Sequence, residues 1–121
     1  MKLTTQIKIE EAAMFVATIV LFYHKGFTWW LYPLLIFSPD LSMLGYLVNT
    51  RIGALTYNIA HNKAVAIIIW LAGVYLCSDG LIITGMILFG HSSMDRLIGY
   101  GLKFSDDFKH THLGWIGKKE A

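Results

Sequence analysis

The sequence predicts an all-α protein, a compact bundle of four or five short transmembrane helices with a polar C-terminal tail docked on it. Three observations predict this. Apolar residues make up 55% of the 121 and charged residues only 15%, against about 25% charged in ordinary soluble domains. The apolar residues fall in blocks of good helix formers, and polar helix-end signals separate those blocks. The longest charge-free runs, 64–78, 80–94 and 26–39, are shorter than the roughly 18 residues of a simple spanning helix. A polytopic bundle accommodates this, because charged groups facing its interior are tolerated. The length suits a single domain over 1–121 with one modest core.

The elements follow in order. Residues 9–24 are an apolar helical run that Lys25 and Gly26 stop with a basic residue and a helix-ending glycine. Residues 27–37 follow, with Trp29, Trp30 and Tyr32 as an interfacial anchor and Pro33 as a kink. Ser38-Pro39-Asp40 starts the next helix: Ser caps, Pro suits the first turn and Asp favours the positive helix end. From there Asp40, Leu44, Leu47, Arg51, Ala54, Asn58 and His61 share one face, a polar face that should point into the bundle. Residues 64–76 form a lipid-facing helix that also offers a homodimer contact, and 81–102 the last long helix. Its glycines, Gly85, Gly90, Gly99 and Gly101, permit close helix approach.

Several classes are excluded. A single cysteine, Cys77, rules out an internal disulfide and any cysteine-based zinc motif. A net charge of +2 with no basic cluster argues against nucleic acid as a partner. Glu10 and Glu11 break the order expected of a cleavable signal peptide. Lys25, Lys63, Lys103, Lys109, Lys118 and Lys119 lie toward the tail side of the bundle, against Lys2 and Lys8 opposite. The expected location is therefore the bacterial inner membrane, multi-pass, with the C-terminus in the cytoplasm.

The chemistry concentrates in residues 90–114. His91 and Asp95 are four apart and lie one turn above each other on a helix. Such a pair can share a metal, pass a proton or simply orient helices, and the sequence leaves all three open. Threading the chain through a bilayer brings His61 toward the same end, with Tyr57 and Asn58 beside it and His110 or His112 in reach from the tail. If 40–61 were one straight helix, Asp40 and His61 would stand about 31 Å apart and could not share an ion. The weak helix formers Asn49-Thr50-Arg51-Ile52-Gly53 allow a break that folds Asp40 back. Arg51 is expected to form a buried ion pair with Asp95 or Glu10. The tail's Phe108, Leu113 and Trp115 should seat it over the cytoplasmic mouth of the bundle, with Phe108 and Leu113 inserted between helices.

The elements around Glu10, Pro39–Tyr46, Tyr57–His61, His91–Lys103 and Phe108–Gly114 resemble an uncharacterised family of small bacterial integral membrane proteins. That resemblance implies a membrane fold and no activity. The Pro39-Asp40, His61 and His91-x-x-x-Asp95 elements are also similar to those of membrane-bound metal-dependent hydrolases, whose H-R-x-x-T-H-S element is absent here. This second resemblance puts Asp40, His61, His91 and Asp95 forward as ligands. Two classes of function follow. In the first, a hydrolase acts at the cytoplasmic interface on a lipid-derived or phosphoester substrate, with His61, His91 and Asp95 on zinc, manganese or iron and Asp40 or Glu10 as further ligand or general base. In the second, the protein is non-enzymatic or a small proton-coupled carrier, and the polar residues fix the bundle or pass protons.

Overall fold

The computed structural model describes residues 2–99, 101–103, 105, 109–111 and 113–116, with the backbone alone for 110, 114 and 115. Five α-helices and one 3₁₀ segment make up almost all of it: α1 (Leu3–His24), α2 (Leu31–Leu35), the 3₁₀ segment (Ser38–Leu47), α3 (Thr50–Ala60), α4 (Lys63–Leu76) and α5 (Asp79–Leu97). The all-α expectation holds. The tail adds only a minimal antiparallel hairpin of β1 (His110–Thr111) and β2 (Gly114–Trp115).

Helix α5 is the centre, packed by α4 on one side and α1 on another, while the 3₁₀ segment packs on α3. Glycines set the spacing. Gly85 lies against the backbone of Trp70, where a Cβ would come within 2.6 Å of the Trp70 Cα. Gly90 gives room to the Tyr32 hydroxyl and to Thr18 Oγ1, which hydrogen-bond each other at 2.7 Å. Gly99 does something else: its φ of +102° ends the run after α5, a conformation glycine adopts at little cost. The core is Phe22, Tyr32, Ile36, Ile82, Met86 and Ile87. Tyr32 is therefore a core residue and not an interfacial anchor, its ring edge-on to Phe22 at 5.2 Å. Trp29 and Trp30 do stay exposed.

The straight helix over 40–61 does not form. Pro39 and Asp40 start a helix, but it is 3₁₀ and ends at Leu47. Asn49, in extended conformation, then caps α3 by accepting from the Ile52 N–H at 2.8 Å. Asn62 caps α4 in the same way through the Ala64 N–H, and Ser78 caps α5. Each cap satisfies a helix-end N–H that would otherwise lack a partner. The break at Asn49 is what turns the 3₁₀ segment back along α3.

No single helix among the described residues is long and apolar enough to cross a membrane, but α3 and α4 together, bent by 47°, have the length and composition to do so. Large apolar side chains also face outward. Val16 and Val20 on α1, Leu44 and Leu47 on the 3₁₀ segment, and Ile68, Leu71 and Tyr75 on α4 are all more than half exposed.

Candidate metal centre

Four side chains from three elements converge. Asp40 comes from the first turn of the 3₁₀ segment, His61 from the C-terminal end of α3, and His91 and Asp95 from successive turns of α5. One ligand atom from each lies within 4.8 Å of all the others. Around the ring, Asp40 Oδ1 stands 3.0 Å from His91 Nε2, which is 3.3 Å from Asp95 Oδ2. Asp95 Oδ2 is 3.3 Å from His61 Nε2, and that nitrogen is 3.4 Å from Asp40 Oδ1. A divalent ion with bonds of about 2.0–2.2 Å to nitrogen and oxygen sets neighbouring donors about 3.0 Å apart at right angles and about 3.4 Å apart at tetrahedral angles. These four residues could hold a metal ion.

The tautomers point the same way. His91 Nδ1 faces the Ile36 carbonyl at 2.5 Å and His61 Nδ1 faces the Tyr57 carbonyl at 2.8 Å. A carbonyl only accepts, so each Nδ1 carries the hydrogen and each Nε2 is turned into the ring. A neutral imidazole then aims a lone pair at carboxylate oxygens, an arrangement that is unfavourable unless positive charge sits between them. Two negative carboxylates require a charge of about +2 to balance them: two added protons or one divalent cation. His61 Nε2 is buried and lies too obliquely to either carboxylate for a hydrogen bond, leaving it an orphan aimed at the centre. Backbone carbonyls behind ligating histidines are the usual way to fix ring orientation.

The surroundings are built to hold the ring. Tyr57 stacks on His61 at 3.8 Å with planes 10° apart, and its hydroxyl donates to Asp95 Oδ2 at 3.3 Å. Ser92 Oγ donates to the His61 carbonyl at 2.7 Å, tying α5 to the α3–α4 corner. His61, His91 and Asp95 are buried, while the Asp40 side chain is 37% exposed. The cluster therefore opens on the Asp40 side.

The sequence profile of a domain of unknown function (DUF4260) matches residues 4–116. The chain belongs to this family. No curated protein and no solved structure matches it. In this DUF4260 chain the match spans all four cluster residues and the helices that carry them.

The structure brings His61, His91 and Asp95 together as the sequence expects, and it adds Asp40 through the break at Asn49. Glu10 is not brought in. It is exposed on α1, and its neighbour Glu11 is the buried one, paired with Lys63 at the start of α4. One residue along a helix is about a 100° turn, enough to separate core from surface. Arg51 is also corrected: it sits exposed in the first turn of α3 and forms no buried pair with Asp95 or Glu10.

The tail docks by a different contact from the one expected. Asn58 clamps the Lys103 backbone, donating to its carbonyl at 2.7 Å and accepting from its N–H at 2.6 Å. The Lys103 ammonium lies 4.5 Å from the Tyr57 ring centre, and Lys103 bridges to the buried Thr111. Leu113 is half exposed and does not insert between helices. Phe108, His112 and Tyr100 lie outside the described residues, as do the side chains of His110 and Trp115. No side-chain pattern in the sequence signals the Ile36 carbonyl, and the sequence places Asn58 beside His61 without its contact to the tail. Its place one turn before His61 was the available clue.

Proposed function

We propose that this protein is a membrane-embedded, metal-dependent hydrolase acting at the interface on a lipid-derived or phosphoester substrate. The observation that carries the reading is the ring of two Nδ1-anchored imidazoles and two carboxylates closing on one point. Zinc, manganese and iron all accept this donor set. A divalent ion there supplies Lewis acidity toward an ester oxygen and a water. His61, His91 and Asp95 hold their positions through backbone and Tyr57 contacts. Asp40, the exposed member, would face the side from which substrate and water arrive, as a further ligand or as the general base. The gap between Tyr57, His61, Asp95 and Leu102 is too narrow for a water.

Embedding in a lipid bilayer is supported by the bent α3–α4 pair and by the exposed apolar faces of α1 and α4. The α4 face also suits a second copy of the chain in a homodimer. A second reading has its own support. The ring balances equally with two protons, so a proton-coupled carrier uses the same four residues without an ion.

The test is turnover in detergent or liposomes by protein loaded with zinc, manganese or iron, using a phosphoester and a carboxylic ester of a lipid. Metal-dependent hydrolysis that Asp40→Ala removes is the expected result. Absence of turnover on every ester, together with proton flux across loaded liposomes that His91→Ala stops, would overturn it in favour of the carrier.

A further inference from the structure

A groove of about 580 Å³ lies apart from the ring, between the start of α1, the end of α5 and the tail. Its walls are Ile7, Lys8 and Glu11 from α1, Arg96 from α5 and Leu113 from the tail, so the start of α1 lies beside the tail and not, as the threading of the sequence expects, on the opposite side of the bundle. That volume falls among ligand sites of about 300–1,000 Å³. The charges are unbalanced. Glu11 is taken by Lys63; among the described residues, Lys8 forms no ion pair, and the Arg96 guanidinium donates to the His61 carbonyl at 3.5 Å and forms no ion pair. Among the described residues, two cations thus border a cleft whose acid, Glu11, is already neutralised. An anion is the complement, and phosphate is an anion that a guanidinium fork and an ammonium can bind together. Ile7 and Leu113 are each about half exposed beside them, and Leu3 is exposed one turn before Ile7. Apolar walls next to paired cations fit a phosphate that carries acyl chains.

We propose that this groove is a phospholipid site, with Lys8 and Arg96 on the phosphate and Ile7 and Leu113 against the first acyl segment. It stands on its own observations and does not require the ring to be catalytic. An anchored headgroup here would hold the tail, through Leu113, against α1.

The test is titration of full-length protein in detergent with dihexanoyl phosphatidic acid, read by native mass spectrometry, with inorganic phosphate as competitor. The expected result is saturable one-to-one binding, weakened about tenfold or more by Lys8→Gln and further by Lys8→Gln/Arg96→Gln. Lys25→Gln, at the exposed far end of α1, should leave affinity unchanged. Lys8 is exposed, so its variant tests the site even if Arg96→Gln does not fold. Equal affinity of wild type and Lys8→Gln would overturn the proposal. So would binding of inorganic phosphate as tight as the lipid, because the apolar walls would then contribute nothing. Metal content should be the same in Lys8→Gln as in wild type, which separates failure here from failure of the ring.

Discussion

Replacing Asn58 by alanine should release the tail while leaving the helices folded. The Asn58 amide makes two hydrogen bonds to one residue, at 2.7 and 2.6 Å, and Lys103 is only 5% exposed. Losing two such bonds removes about 1 kcal/mol each, and stranding a buried N–H and C=O adds a desolvation cost. The sum is about 2–4 kcal/mol against docking, or roughly a 30- to 1,000-fold rise in the open fraction. Lys109 is exposed, and its carbonyl is held by the Ile116 N–H at 2.7 Å. Trypsin cleavage at Lys109 should therefore wait for tail opening and accelerate by about that factor, since cleavage of a transiently open state tracks its population. Asn58→Asp separates the two bonds: it keeps the acceptor for the Lys103 N–H and loses the donor to the carbonyl, so its acceleration should be intermediate. Pulse digestion in detergent, followed by mass spectrometry of the released tail peptide, reads all three rates. Equal rates for wild type, Asn58→Asp and Asn58→Ala would refute the clamp.

Three further outcomes follow from the packing. Gly90→Ala puts a methyl group onto the Tyr32–Thr18 hydrogen bond and should destabilise by about 1–3 kcal/mol, whereas Gly80→Ala, whose methyl would meet only Ser78 Oγ at an ordinary contact distance of 3.9 Å, should leave the melting temperature unchanged or higher. Glu11→Ala strands Lys63, whose side chain is 16% exposed, and should cost about 3 kcal/mol; adding Lys63→Met should recover most of it, and an unchanged melting temperature in the single variant would contradict the pair. Arg51→Ala should shift stability by less than about 0.5 kcal/mol, as at other exposed positions, and a large loss in thermal unfolding would show a partner.

The parts of this fold that were legible in the sequence are those fixed by local rules. His91 and Asp95 share a face because they are four apart on a helix, and the break expected within Asn49–Gly53 falls at its first residue, where Asn49, a poor helix former and a good N-cap, separates the 3₁₀ segment from α3. Once that break is real, Asp40 joins the ring and the single polar face drawn from Asp40 to His61 loses its meaning. Arg51 then begins a new helix with a new phase, which is why it points outward. The choice between Glu10 and Glu11 was not legible for another reason. The buried stripe of α1 is Glu11, Thr18 and Phe22, while its exposed face carries Ile9, Val16 and Val20. Where the outer face is as apolar as the inner one, hydrophobic periodicity cannot say which side packs. Asn58 and the Ile36 carbonyl act through the backbone of segments far away in sequence, and pattern reading has no access to such contacts.

The central claim is that Asp40, His61, His91 and Asp95 form one metal centre. Elemental analysis of protein purified from metal-replete medium tests it most directly, with X-ray absorption to read the ligands. One divalent ion per chain, bound by nitrogen and oxygen with two imidazoles and lost in His61→Ala and His91→Ala, is the predicted result. No bound ion, and no rise in melting temperature on adding zinc, manganese or iron, would contradict it.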